Sequence, residues 1–149
     1  MAAEPPEDLE VFLEFILVSH FTQLLVRSEF EADGLDPYMF GLLLHVHARG
    51  RMTPSQLADE TRVTNTTIRD QVQNLVERGL LARKPNPDDA RSYLLALTPE
   101  GRGFHARGVR AHDRARKRLA RELGRPLPEI QATVVELRRA AARALDEGG

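Results

Sequence analysis

The polar side chains best suited to recognition chemistry lie within one short stretch of the chain. They are Thr64, Asn65, Thr66, Thr67, Arg69, Asp70 and Gln73. On one helix, such hydroxyl and amide groups can hydrogen-bond to base edges, and arginine can bind guanine or phosphate. A helix that starts at Thr64 would add free backbone amides and the positive end of its dipole, both of which attract phosphate. The alternative is that the run only caps a helix and is otherwise solvated.

A second group of charged residues follows. It comprises Arg83, Lys84, Asp89 and Arg91. Residues 85–90 between them read Pro-Asn-Pro-Asp-Asp-Ala, a turn-rich composition, and the flanking segments 80–84 and 92–97 have strand character. The pattern predicts a β-hairpin whose cations would favour the negative potential of a DNA minor groove.

Two short helices must position the first group. Thr53 followed by Gln56 has the form of a capping box and predicts a helix over 54–61. Thr64 can cap the next helix, over about 65–78, with Ile68, Val72 and Leu75 on its inner face. This inner face turns Thr66, Asp70, Gln73 and Glu77 outward. The pair is predicted to form a helix-turn-helix.

Longer helices flank this unit. Helical spacing predicts a helix from about residue 8 to 32, ended near Gly34, and Asp36-Pro37 starts a second that ends near Gly50. Thr98-Pro99-Glu100 starts a long basic helix to about 123, and a last helix follows 130. The expected fold is a single, mainly α domain with a small β-hairpin. A winged helix-turn-helix over 36–98 lies between flanking helices over 8–35 and 99–147.

Two motifs carry a resemblance to a known family. Asp89-Ala90-Arg91 precedes Leu97-Thr98-Pro99-Glu100-Gly101, and Gln56-Leu57-Ala58 precedes the run Leu75-Val76-Glu77-Arg78-Gly79-Leu80-Leu81. In this order and spacing the chain resembles the MarR family of bacterial transcriptional regulators over nearly its whole length. The resemblance implies a triangular homodimer, in which the terminal helices form the dimer interface and two winged units bind double-stranded DNA. It also implies that Asp89 and Arg91 brace the hairpin.

The DNA-facing positions depart from the family pattern. Asp70 stands where members commonly have arginine, and the arginine of this chain, Arg69, is one position earlier. Ala90 stands where members frequently have a basic residue. Residues 51–91 contain seven basic and six acidic residues, so their charges nearly balance. Nonspecific binding depends on phosphate neutralisation, so we expect modest affinity and a shallow salt dependence.

The resemblance also implies a small aromatic or phenolic effector, bound between the dimerisation helices and the winged unit. The candidate effector-binding residues of this chain are His20, Tyr38, His45, His47, Arg51 and Phe104. Histidine or arginine would face a carboxylate or phenolate, and the aromatic rings would stack. Alternatively these are packed or surface residues that bind no ligand.

Other chemistries find little support. The chain has no cysteine, no GxSxG, no Walker loop and no HExxH, so neither catalysis nor a cofactor is expected. His105 and His112 share a helix face, but the i,i+4 histidine pair of a metal site is absent, and no metal is predicted. The acidic N-terminus is unlike a signal peptide, and Glu14, His20 and Gln23 interrupt the most apolar stretch, 11–26. A cytoplasmic protein without a membrane span is expected.

The function expected from these observations is sequence-specific transcriptional regulation. A ligand-responsive repressor would bind a pseudo-palindromic operator as a homodimer. The alternative is a winged-helix scaffold with weak or no DNA binding, because Asp70 and Glu77, on the outward face of the helix over 65–78, would suit a basic protein partner.

Overall fold

The computed structural model describes residues 8–146; residue 147 of the predicted C-terminal segment lies outside them. In chain order its elements are α1 (Leu9–Ala32), α2 (Pro37–Arg49), α3 (Pro54–Thr61), α4 (Asn65–Glu77), β1 (Leu81–Pro85), β2 (Tyr93–Leu97), α5 (Pro99–Leu123), a 3-10 turn (Leu127–Ile130) and α6 (Gln131–Asp146). The predicted fold class, a mainly helical winged helix-turn-helix with one hairpin, is confirmed.

The helix starts form where the capping residues predict them. The Asp36 carboxylate accepts hydrogen bonds from the backbone amides of Tyr38 and Met39, at 2.7 and 3.0 Å. At α3 the capping box is complete, since Thr53 and Gln56 each bind the other's backbone amide. These contacts satisfy backbone donors that have no partner inside the helix.

The strands β1 and β2 form an antiparallel hairpin in which Leu81 pairs with Leu97 and Pro85 with Tyr93. Leu95 at its centre is fully buried. An isolated bridge adds Met52 beside β2, with its carbonyl accepting from the Leu95 amide at 2.7 Å. Sequence reasoning did not predict this bridge. It joins the segment before α3 to the β1–β2 hairpin, which is the wing of the fold. The wing is thereby hydrogen-bonded to the helix-turn-helix.

The chain divides into two compact units, one up to His112 and one from Asp113 onward. In the first unit, Ile68, Val72 and Leu75 of α4 are fully buried, as predicted. Phe30 of α1 and Phe40 of α2 belong to the same core and meet edge to face, 5.2 Å apart. The helix-turn-helix therefore packs on a continuous apolar core in this unit.

Helix α1 exposes most of its apolar side chains in the single chain. The exposed ones are Leu9, Val11, Phe12, Leu13, Phe15, Ile16, Leu17, Val18, Phe21 and Leu24. By length and composition α1 could cross a membrane, since 18 consecutive residues of it have a mean hydropathy of 1.6, although the sequence interpretation discounted a span here. One such helix near the N-terminus is weak evidence, since signal sequences and core helices share these properties. An exposed apolar surface of this extent is expected to contact another apolar surface.

Candidate nucleic-acid interface

The outer face of α4 is polar and exposed. Asn65, Thr66, Arg69, Asp70 and Gln73 all lie on the solvent side, opposite the buried inner face of the helix. The periodicity that buries every third or fourth residue of α4 produces this separation. The face is therefore free to meet a groove of duplex DNA.

The hydroxyl groups at the start of α4 divide into two kinds. The Thr64 hydroxyl accepts from the Thr67 backbone amide at 3.3 Å, and the two threonine hydroxyls lie 2.9 Å apart. These two residues cap the helix. Asn65 and Thr66 are exposed beside the cap, where the helix dipole favours a phosphate.

Arg83 of β1 is held against α4 instead of projecting from the hairpin. Its Nη2 donates to Oε1 of Gln73 at 2.5 Å, and its guanidinium lies 5.0 Å from the centre of the Tyr93 ring. The Gln73 Nε2 in turn donates to Oε1 of Glu77 at 2.7 Å. These contacts join the wing and the recognition face of α4 through one line of side chains.

Sequence reasoning did not single out Tyr93. The register of the hairpin could have revealed it. Arg83 pairs with Leu95, so Tyr93, two residues before Leu95, is the diagonal neighbour of Arg83 across the strands. The contact of Glu77 with Gln73 was also accessible, since residues four apart are neighbours on a helix.

Side chains within the hairpin loop organise it. Asn86 donates to the Ser92 hydroxyl at 2.6 Å and accepts from the Asp88 backbone amide at 3.1 Å. The Asp89 carboxylate accepts from the backbone amide of Arg91 at 2.9 Å. Asp89 thus braces the loop through the backbone, while the Arg91 and Lys84 side chains are exposed on the hairpin.

A cleft of about 620 Å³ lies between the end of α2, the hairpin and the start of α5. Its basic side chains are His47, Arg51, Lys84 and Arg102, and Val46, Ala82, Ala96 and Leu97 contribute apolar surface. Among the described residues, no aspartate or glutamate lines it. Arg102 is oriented by a hydrogen bond from its Nη1 to the Leu97 carbonyl at 3.0 Å. A cleft of this size and charge is suited to an organic anion.

The structure brings two of the six predicted effector residues, His47 and Arg51, to this cleft. The other four are elsewhere. His45 binds Glu60 of α3 at 3.1 Å through Nδ1, and Phe104 is buried with Arg107 over its ring at 5.7 Å. Tyr38 is exposed at the start of α2, and His20 lies on exposed α1 beside Phe21.

Behind the cleft, His47 stacks on His105 with ring centres 4.1 Å apart. His105 is 9% exposed, stacks on Phe40 at 5.5 Å, and its Nε2 has no hydrogen-bond partner among the residues described. Burial, and secondarily the charge of His47, lowers the pKa of His105. Both effects favour the neutral ring. Between residues 8 and 146 no three histidine or acidic side chains converge as a metal site requires.

A hairpin packed beside an exposed recognition helix defines a winged helix-turn-helix. Residues 33–92 match the model of the MarR family. A Thauera aromatica protein named for transcriptional regulation of the hcr operon is 33% identical over 75 residues, which are 50% of this chain and 45% of that protein. The repressor YetL of Bacillus subtilis is 28% identical over 96 residues, 63% of this chain and 58% of YetL. The chain thus spans about half the length of these relatives. The similarity to the MarR family model lies in residues 33–92, the winged unit.

Solved structures share the fold at low sequence identity. AbsC of Streptomyces coelicolor, a MarR family regulator, aligns with a TM-score of 0.82 at 17% identity, covering 99% of both chains. A mutant of Escherichia coli MarR, solved with operator DNA, aligns at 0.71 and 18%, covering 91% of this chain and 99% of that one. Bordetella bronchiseptica BpsR, whose DNA binding is regulated by 6-hydroxynicotinic acid, aligns at 0.75 and 20%, covering 94% and 98%.

Proposed function

We propose that this protein is a transcriptional regulator, not an enzyme, that binds duplex DNA by sequence in the cytoplasm. The observation that carries the proposal is the exposed polar face of α4 beside the β1–β2 hairpin. Such a helix enters the major groove while the hairpin lies over the neighbouring minor groove. Its relative YetL is a repressor, which favours repression over activation.

The test is binding of the purified protein to DNA upstream of its own gene. Fluorescence anisotropy at low and moderate salt would compare this DNA with a scrambled duplex of the same composition. Preferential binding to the upstream DNA, with an affinity that weakens as salt is added, is the expected result. Equal binding to both duplexes by a folded protein would refute regulation of its own gene.

The proposed DNA-binding form is a homodimer. In the single chain Phe12, Ile16 and Phe21 of α1 are 60, 53 and 62% exposed. Apolar side chains in such number are covered in a soluble protein, and a second copy of α1 offers a matching apolar surface. Two recognition helices in successive major grooves then require a pseudo-palindromic site with half-sites about one helical turn apart.

We further propose that an aromatic carboxylate binds in the cleft and releases the DNA. The basic residues His47, Arg51, Lys84 and Arg102 would hold the carboxylate, and Val46 and Leu97 would contact the ring. Because α2, the hairpin and α5 all line the cleft, a ligand there can favour one arrangement of the wing over another. It acts only through its different affinity for those arrangements.

Calorimetry with 6-hydroxynicotinic acid and with benzyl alcohol, a ring without the carboxylate, would test this site. We expect binding of the acid alone, weakened about tenfold or more in Arg102→Gln, since a charge-assisted hydrogen bond contributes on the order of 1.5–3 kcal/mol. Arg121→Gln, which removes the same charge outside the cleft, is the matched control. Equal weakening in both variants would contradict the assignment of the cleft.

The second candidate function is a protein-binding scaffold, and Asp70 on the exposed face of α4 is the observation in its favour. A carboxylate there repels phosphate but attracts a basic protein. If neither the wild-type protein nor Asp70→Arg bound DNA, the scaffold would be favoured over the regulator.

A further inference from the structure

The side-chain amide of Gln73 is held at both ends. Its Oε1 accepts from Nη2 of Arg83 at 2.5 Å, and its Nε2 donates to Oε1 of Glu77 at 2.7 Å. All three residues are exposed, on the face of the molecule that carries the recognition helix. An exposed glutamine otherwise rotates freely, so this arrangement removes a freedom that the side chain would normally keep.

The charges on either side allow one amide orientation. A flipped amide would place its NH2 group against the Arg83 guanidinium and its oxygen against the Glu77 carboxylate, so both hydrogen bonds would be replaced by repulsions. In the observed orientation, one N–H of Nε2 and one lone pair of Oε1 remain for a further partner. Gln73 therefore presents one donor and one acceptor in a set order.

We propose that Arg83 and Glu77 preset Gln73 to read an adenine in the major groove; this rests on the DNA-binding function proposed above. Adenine presents the N7 acceptor and the N6 donor, which match one donor and one acceptor of a glutamine amide. Guanine presents two acceptors on the same edge and leaves the free lone pair of Gln73 without a partner. A preset amide loses less rotational entropy on binding, which sharpens the preference.

The arrangement gives a role to two residues that DNA binding otherwise leaves unexplained. Glu77 is a carboxylate on a face that meets phosphate, and its contact with Gln73 accounts for its presence there. Tyr93 carries the Arg83 guanidinium over its ring at 5.0 Å and so holds it in line with Gln73. Glu77, Arg83 and Tyr93 are positioning residues, and Gln73 alone contacts the base.

The experiment selects preferred duplexes from a randomised pool with the wild-type protein, then measures competition by adenine-to-guanine substitutions in the selected site. We expect one position per half-site where adenine is preferred by on the order of tenfold or more, and where Gln73→Ala loses that preference. Glu77→Leu and Arg83→Met should each reduce it to about threefold or less, with other positions unchanged. Glu77→Gln, which keeps an acceptor for Gln73, should retain it.

Asp70→Asn is the matched control, because it removes a carboxylate from the same helix face without touching the Gln73 amide. It should raise overall affinity and keep the adenine preference. Adenine preference surviving in both Glu77→Leu and Arg83→Met would overturn the proposal. So would a Gln73-dependent position that prefers guanine.

A DNA-free measurement separates this proposal from the proposed function. NMR relaxation of the side-chain amide nitrogens should show that Gln73 is more restricted than the exposed Gln131 in the wild-type protein. In Arg83→Met, Gln73 and Gln131 should be equally mobile. Equal mobility of Gln73 and Gln131 in the wild-type protein would refute the presetting, even if the protein binds DNA. A restricted Gln73 in a protein that prefers no duplex would refute adenine reading together with the regulator function, while leaving the side-chain contact established.

Discussion

Replacing Gly108 by alanine tests how α5 packs on α2. A Cβ at position 108 would lie 2.1 Å from Cδ2 of Phe40 and 2.5 Å from its Cε2, whereas carbon atoms in contact are about 3.5–4.0 Å apart. Phe40 is 3% exposed, and its ring is enclosed by Phe30 at 5.2 Å, His105 at 5.5 Å and His112 at 5.2 Å. These neighbours leave the Phe40 ring little room to move away from an added methyl group.

The expected size follows from two opposing effects. Alanine stabilises an open helical position by about 1 kcal/mol relative to glycine. Overpacking a closed core costs about 1–3 kcal/mol and occasionally more, and the short distances to Phe40 place Gly108→Ala at the upper end. We expect a net loss of about 2 kcal/mol, or roughly 4–8 °C in Tm for a chain of this size. Gly103→Ala, on the same helix with no described atom within 4 Å of its Cβ, should gain up to about 1 kcal/mol.

Urea unfolding followed by circular dichroism, at one fixed protein concentration, measures both variants. A fixed concentration is needed because the proposed dimerisation would contribute to the apparent stability. The double variant Phe40→Leu with Gly108→Ala should lose less than the sum of the two single losses, because the smaller side chain makes room for the methyl group. If Gly108→Ala is as stable as Gly103→Ala with an unchanged m-value, the packing of α5 against Phe40 is incorrect.

Three further predictions concern charge, pH and assembly. Asp70→Arg should tighten DNA binding about tenfold and steepen the logarithmic salt slope by about one, measured by anisotropy, while Glu136→Arg on α6 should leave specific binding unchanged. Because the pKa of His105 is lowered in the folded chain from its ordinary 6.5, the unfolded chain binds the proton first, and stability should fall as the pH drops below about 6.5. His105→Phe should make that fall shallower in urea midpoints, with a remainder due to His112, whose pKa burial also lowers; an equally steep fall would contradict the assignment. Phe12→Asp on the exposed face of α1 should shift the sedimenting species from dimer toward monomer, and an unchanged dimer would place the interface elsewhere.

The fold class and the candidate DNA-facing helix were within reach of the sequence because their signals are local. A cap such as Thr53 with Gln56 acts across three residues, and the inner face formed by Ile68, Val72 and Leu75 repeats with the helical period. Both signals depend on residues that are neighbours along the chain. The predicted bounds of α3, Pro54–Thr61, match the structure for this reason.

The effector residues show where such reasoning stops. His45 and His47 differ by two positions on α2, yet one binds Glu60 of α3 and the other lines the cleft. Residue type marks both as able to bind an anion, but only the packing of α3 and α5 against α2 separates them. The effector and DNA-contact assignments themselves stay predictions until they are measured.

The sequence by itself determined the helices, their caps and the winged helix-turn-helix, since these depend on contacts within a few residues. The tertiary structure alone decided that Arg83 of the hairpin contacts Gln73 of α4, ten residues earlier, and that His47 of α2 stacks on His105 of α5. Such contacts depend on how whole elements pack, and packing distances are set by the entire core rather than by any local pattern. Residue types therefore determined which chemistry this surface can perform, and the packing of the elements determined its geometry.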